Sequence, residues 1–286
     1  MYPTTPLPGS DAWRAPTLQQ PSNFRALSKT GQVLYGVLLC YPSVHVAKTI
    51  AVTGADWCWI DTEHVAYSPS LLVELIQVII HESGGKMIPI VRVPNKTAFE
   101  YMIWCLDAGA GGIIIPHVET AEEVAAIVAA CRYPPLGHRG LSPATFIPGI
   151  TDTTPAGETI YSIANKHVAI IPQIESLAAV KNADAIMGNE QVDMVMIGNR
   201  DLRMDMGLFG LTGNEPEYLE ANAHVVSVAK SYNLPLMCFT SDEDSLRARH
   251  REGFKLFMVT MDLLTLAYGT VANLKRAREV IAGVAE

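Results

Sequence analysis

The feature that most constrains this chain is a rhythm. Short apolar, β-branched runs recur at 32–40 (QVLYGVLLC), 57–62 (WCWIDT), 87–93 (MIPIVRV), 111–118 (GGIIIPHV), 167–175 (HVAIIPQIE), 192–198 (VDMVMIG), 234–240 (LPLMCFT) and 254–261 (FKLFMVTM). Runs that are apolar on both faces suit strands covered on both sides, as in a parallel sheet. Between them lie stretches with helical spacing and start signals. Ser68-Pro69 precedes SLLVELIQVIIHESGG, Thr120 with Glu123 precedes VAAIVAACR, and Ser241 precedes DEDSLRARHREG. Strands separated by helices pair in parallel through crossovers, so eight such units predict an α/β fold, the (β/α)8 TIM barrel. A doubly wound open sheet is the alternative. It is disfavoured because no G-x-G-x-x-G turn follows a strand, and Gly109-Ala110-Gly111-Gly112 precedes one instead.

The chain has 286 residues, within the range of a single barrel. Residues 23–286 are expected to form that barrel, and residues 1–22, with five prolines and few periodic apolar positions, a flexible arm. The stretch Leu141 to Lys166 (LSPATFIPGITDTTPAGETIYSIANK) breaks the rhythm on the helix-to-strand side with three prolines. It is expected to be either a surface insertion or a segment that packs against another subunit or a pocket.

With 29 acidic and 21 basic residues, a net charge of -8 and no Lys/Arg-rich run, nucleic acid is not an expected partner. No apolar segment approaches the roughly 20 residues of a membrane span. The polar, proline-rich start lacks the apolar core of a signal peptide. The expectation is a soluble, cytoplasmic protein with no membrane association. The five cysteines are odd in number and scattered without a C-x-x-C pair, so neither a disulfide framework nor a thiolate zinc site follows. Asn95-Lys96-Thr97 matches a glycosylation acceptor, which carries little weight without a secretory signal.

In a barrel, chemistry sits at the carboxyl ends of the strands. The second strand ends Asp61-Thr62-Glu63-His64, the third carries Arg92, the fifth ends Gln173-Ile174-Glu175, and the sixth delivers Asp201. Side-chain alternation points Gln173 and Glu175 the same way, and likewise Asp61 and Glu63. Glu175 and Asp201 with the Gln173 amide make an oxygen-only set suited to Mg²⁺ or Mn²⁺, although acids at strand ends are as commonly solvated or helix-capping. Arg92, between Val91 and Val93, needs an anion: either a neighbouring acid in a structural pair or a substrate carboxylate. His64 is either a hydrogen-bonded structural residue or a proton carrier, and His117 in IPHVET is a second candidate.

The segments WIDTEH, IVRVP, DAGAGGIIIPHVETAEEV, RYPPLGHRG, IPQIES, VDMVMIGNRDL and DMG resemble, in order and spacing, the HpcH/HpaI class II aldolases, the metal-dependent pyruvate aldolases. The similarity runs from about Gly36 to the final helix. IPHVETAEEV with SPATFIPGI is particularly similar to the fungal macrophomate synthase branch, whose members act on oxaloacetate. The resemblance implies a (β/α)8 barrel, typically assembled as a homo-oligomer, a hexamer whose last helix packs on a neighbouring subunit. It implies Mg²⁺, Mn²⁺ or a similar ion held by Glu175 and Asp201, with Gln173 supporting a 2-keto acid such as oxaloacetate or pyruvate. Arg92 would grip the carboxylate and stabilise the enolate oxygen. His64, oriented by Asp61, would move protons, and Asp107 would reach a neighbour's active site.

Gly198 would let backbone approach the keto acid closely. The family usually has proline after this glycine and a small residue before the aspartate, where this chain has Asn199 and Arg200. Arg200 either faces solvent or an acidic neighbour, or reads the second carboxylate of a dicarboxylate such as oxaloacetate. Three functions compete: a metal-dependent carbon–carbon lyase making enolpyruvate, an enzyme that traps the enolate on an acceptor such as a pyrone, and a catalytically silent keto-acid-binding barrel. A Schiff-base mechanism is disfavoured: Lys96 lies in the loop after the third strand, and Lys255 is at the wrong end of the eighth.

Overall fold

The computed structural model describes residues 24–142, 154, 156–210, 213–240 and 242–284. Strands β1 (Leu34–Leu39), β2 (Trp57–Asp61), β3 (Ile88–Arg92), β4 (Gly112–Ile115), β5 (Ala169–Ile174), β6 (Val195–Ile197), β7 (Leu236–Phe239) and β8 (Leu256–Met261) close into a barrel. Each strand pairs in parallel with the next, and β8 pairs with β1. Every expected strand is found within its apolar run. The sixth is shorter than its run, since hydrogen-bonded pairing covers only Val195–Ile197 although Val192 through Gly198 are all buried.

Alternation along the strands sorts the apolar residues into two layers. Trp57, Trp59, Ile88, Ile90, Ala169, Ile171, Met194 and Met196 fill the barrel interior. The intervening Cys58, Ile60, Val91, Ile113, Ile170, Val195 and Ile197 face outward, against the helices. Gly36 on β1 makes room for the Trp57 ring, because a Cβ there would stand 2.2 Å from it. Below, at the amino ends of the strands, Phe24 of α1 (Phe24–Ser28) is fully buried with its ring centroid 6.2 Å from that of Trp57.

The barrel wall is clad by α2 (Val44–Ala51), α3 (Pro69–Glu82), α4 (Phe99–Ala108) and α5 (Ala121–Cys131), then by α6 (Ile160–His167), α7 (Leu177–Lys181), α8 (Ala183–Met187), α9 (Asn199–Asp205), α10 (Pro216–Ser231) and α11 (Glu243–Glu252). Ser68 caps α3, accepting from the Leu71 N–H with Pro69 in the first turn, and Thr120 with Glu123 forms a capping box on α5. The cap of α11 is Asp242, one residue later than the sequence signal at Ser241, which lies outside the described residues. The expected 1–22 arm and most of the first half of the 141–166 insertion also lie outside them.

The second half of that insertion is α6, a helix that the sequence pattern did not announce. Thr159 accepts from the Ser162 N–H and Ser162 returns the bond, while Ile160, Ile163 and Ala164 pack with Tyr133. Asn165 clamps it to the Tyr133 backbone with bonds of 2.8 and 3.0 Å. Nearby, Arg132 is wholly buried, donating to Asp193 at 2.7 Å and to the Val168 carbonyl at 2.7 Å.

The last helix, α12 (Asp262–Val284), has no buried residue, and Leu266, Tyr268, Val271, Leu274 and Ile281 stand exposed along it. Its start is fixed by Asp262, whose carboxylate accepts from the N–H groups of Cys40, Tyr41 and Leu263. All five cysteines are buried and free, and among the described residues no helix is long and apolar enough to cross a membrane.

Candidate active site

The inward parity that fills the barrel with apolar side chains continues one step further toward the carboxyl ends of the strands and there turns polar. Asp61 follows Trp59, Arg92 follows Ile90, Gln173 follows Ile171 and Gly198 follows Met196. Asp61 and Arg92 are register partners across β2 and β3. Arg92 Nε donates to Asp61 Oδ1 at 2.9 Å and Nη2 to Oδ2 at 2.6 Å, a bidentate fork. Nη1 lies 3.0 Å from Glu63 Oε2, and the guanidinium carbon sits 4.8 Å from the centre of the Trp59 ring. Burial pulls the Arg92 pKa down, but its bonds to Asp61 and the charges of Asp61, Glu63 and Glu175 outweigh that and hold it above its ordinary value. Burial also pushes the Glu63 carboxyl up, with Arg92 opposing.

Glu175 is 1% exposed. Its Oε1 accepts the backbone N–H of His117 at 2.8 Å, and its Oε2 contacts Gln173 Nε2. Burial foremost, with the charges of Asp201 and Glu63, pushes its carboxyl up to about 8, against the opposing bonds from His117 and Gln173. Asp201 stands in the first turn of α9, and Gln173 Oε1 is buried without a hydrogen-bond partner. At Gly198 a Cβ would come 2.5 Å from Glu175 Oε2 and 3.0 Å from Gln173 Nε2, so backbone occupies the space a side chain would need.

These residues fit a hard divalent cation. A buried carboxylate under the field of a second acid, beside an unpartnered amide oxygen, has negative potential to spare. Among the described residues no group of three or more His, Cys, Asp or Glu forms a closed cage. An open two-acid set suits Mg²⁺ or Mn²⁺, which keep water or substrate oxygens in their remaining positions.

The other residues singled out by sequence fall into place unevenly. The His64 side chain is 64% exposed, with Nε2 3.7 Å from Glu63 Oε2. Its contact is with Glu63 and not with Asp61, which accepts from Arg92 and from the Glu63 N–H. Asn199 Oδ1 accepts from the Tyr218 hydroxyl at 2.9 Å, and the Arg200 guanidinium lies 5.2 Å from the Phe239 ring centre. Asp107 is near the end of α4, where the chain turns into the amino end of β4, so within one chain it is remote from the polar layer. There it pairs with Arg139 at 2.6 Å. Lys96 is tied to Glu119 and Glu123; although burial lowers its pKa, those bonds win and raise it, which opposes Schiff-base chemistry.

Two groups were missed from sequence. Glu63 is the second acid on Arg92, and its same-side spacing from Asp61 was the available signal. The backbone N–H of His117 is the other, offered by a non-glycine residue at φ 51°, a placement that no side-chain pattern announces.

A family model described as HpcH/HpaI aldolase/citrate lyase matches residues 36–268. The 5-keto-4-deoxy-D-glucarate aldolase of Salmonella arizonae is 32% identical over 250 residues, 87% of this chain and 94% of that protein. The 4-hydroxy-2-oxovalerate aldolase of Novosphingobium aromaticivorans is 34% identical over 271 residues, 93% of this chain and 98% of that protein. Among solved structures, macrophomate synthase superposes with a TM-score of 0.85 at 35% identity, over 94% of each chain.

Proposed function

Because the chain belongs to the HpcH/HpaI aldolase/citrate lyase family, we propose that it is a divalent-metal-dependent lyase that makes the enolate of pyruvate, from oxaloacetate by loss of CO2 or from a 4-hydroxy-2-keto acid by loss of an aldehyde. The observation that carries this reading is the polar layer itself, where Gln173, Glu175 and Gly198 crowd together opposite a permanently charged Arg92.

Glu175 and Asp201 would hold Mg²⁺ or Mn²⁺, with Gln173 beside the keto acid. Such an ion, when bound, polarises the 2-keto oxygen and offsets the charge that gathers there. Arg92 donates its Nε–H and an Nη2–H to Asp61, and Nη1 lies 3.0 Å from Glu63 Oε2. A guanidinium carries five N–H groups, so N–H groups remain for substrate oxygens. Asp61 and Trp59 hold it still, so its charge is already in place when negative charge develops on the C2 oxygen. As the C3–C4 bond breaks, its electron pair passes into the C2–C3 bond and the C2 carbonyl pair onto oxygen. Gly198 and Asn199 supply the turn against which the carboxylate rests. His64, open to solvent beside Glu63, takes the 4-hydroxyl proton in aldol cleavage and returns a proton to C3 through water.

The reading extends to assembly. α12 carries an exposed apolar row, and Tyr35 on β1 and Val259 on β8 are exposed where a last helix would clad the barrel. A homo-oligomer, hexameric as the family resemblance implies, in which α12 crosses to a neighbouring copy would cover both. It would also bring Asp107 to a neighbour's site.

With Mg²⁺ the protein should release pyruvate from oxaloacetate and exchange pyruvate methyl protons in deuterated water, both lost with EDTA and restored by added metal. Absence of metal-dependent exchange would sink the proposal and leave a silent keto-acid-binding barrel. The likeness to macrophomate synthase supports a second reading, in which a 2-pyrone or similar acceptor traps the enolate. A carbon–carbon adduct formed from oxaloacetate and a pyrone tests it.

A further inference from the structure

We propose that Arg200 sets specificity, by binding the second carboxylate of a 2-keto dicarboxylate at the point where the leaving portion of the substrate emerges from the barrel. The proposal rests on the pyruvate-enolate reading and adds the class of substrate.

Arg200 stands one residue before Asp201 in the first turn of α9, directly after the backbone of Gly198 has passed against Glu175 and Gln173. Its guanidinium lies over Phe239, the last residue of β7, which is the barrel neighbour of β6. Phe239 packs against the interior apolar cluster, two residues beyond the inward Met237. The ring therefore anchors Arg200 above the mouth. A guanidinium held over a ring by its charge makes no hydrogen bond to it and keeps its N–H groups for an anion.

The buried arginines Arg92, Arg132, Arg139 and Arg203 each pair with a carboxylate, as does the half-buried Arg249. Arg200 is exposed and, among the described residues, pairs with no carboxylate, although Asp201 beside it in the chain and Glu63 both act on Glu175. Arg92 is committed to Asp61 and Glu63 and would meet the carboxylate next to the keto group. A substrate with a second carboxylate needs a second cation, and Arg200 is the one on the leaving side. In oxaloacetate that group departs as CO2, so the contact strengthens binding but not the bond-breaking step. In a 4-hydroxy-2-keto dicarboxylate it leaves intact on the aldehyde.

The test separates the arginine from the lyase reading. Calorimetry with 2-oxoglutarate and 2-oxopentanoate, in the presence of Mg²⁺, measures the preference for a second carboxylate without turnover. The wild type should bind the dicarboxylate roughly tenfold or more tightly, Arg200→Ala should erase that preference, and Arg200→Lys should restore part of it. In turnover, Arg200→Ala should lose kcat/KM on 4-hydroxy-2-oxoglutarate about tenfold more than on 4-hydroxy-2-oxovalerate, with the loss in KM. No preference in the wild type, or equal losses on both members of each pair, overturns the proposal. Failure of pyruvate exchange would overturn the lyase reading alone, because the binding comparison would still stand or fall by itself.

Discussion

The backbone N–H of His117 donates to Oε1 of Glu175 at 2.8 Å, tying the turn after β4 to the acid after β5. The bond holds Glu175 in place, yet burial and the nearby acids still keep its carboxyl well above the ordinary range. The site is thus built for a charge that it does not itself neutralise.

That imbalance has a pH signature. A carboxyl whose folded pKa lies above its unfolded value stabilises the fold while protonated. In metal-free protein the Glu175 contribution is therefore fully present below its ordinary 4.5 and lost as the pH rises toward about 8. Urea unfolding without metal should show stability falling across that window, and Glu175→Gln should flatten the slope. Mn²⁺ affinity should rise over the same window and drop at least about tenfold in Glu175→Gln. An unchanged slope and affinity in the variant would remove Glu175 from the metal set.

Breaking the Arg92 fork should cost more than a surface ion pair. Arg92→Ala strands Asp61 and Glu63 in a largely buried layer, and Asp61→Asn weakens the same fork. Loss of one partner of a buried pair typically costs about 3–5 kcal/mol. Arg92→Ala should approach that in denaturant unfolding and also lose keto-acid binding, while its Mn²⁺ affinity should hold better than that of Glu175→Gln.

Gly198→Ala tests the close approach of the backbone. The added methyl would meet Glu175 Oε2 at 2.5 Å and Glu175 Cβ at 2.7 Å, both in a packed layer. Overpacking of this kind costs about 1–3 kcal/mol, and the displaced acid should weaken Mn²⁺ binding. Gly140→Ala, where a Cβ meets nothing within 4 Å, serves as the control and should leave Mn²⁺ affinity alone.

Leu274→Asp on the exposed row of α12 should shift the protein toward smaller species in sedimentation and make its melting temperature depend more on concentration. On a free helix the same exposed change would stay within about 0.5 kcal/mol and leave the mass unaltered.

The barrel was legible because its signals are local: eight apolar runs, the Ser68-Pro69 start and the Thr120/Glu123 box all report on adjacent residues. Alternation also marked Gln173 with Glu175, and Asp61 with Glu63, as facing the same way. Which acid meets which base was not legible, because it depends on inter-strand register. Asp61 sits directly across from Arg92 and pairs with it, while His64 lies against Glu63. The helix α6 escaped notice because its box closes with Ser162 in place of an acid or amide, and its few apolar residues answer to Tyr133, far away in the chain. Phe239 read only as one more apolar residue in β7.

The parity that delivers the polar layer has a bearing on how the chain reaches this fold at all. Were a strand to slide by a single residue against its neighbours, Asp61 or Arg92 would swing outward into the apolar space beneath the helices, and Ile60 or Val91 would take its place at the mouth. Such a misthreaded barrel would seal a bare charge in hydrocarbon. The residues that equip the site for chemistry thus also proofread its assembly, penalising the out-of-step topologies that uniformly apolar strands would tolerate.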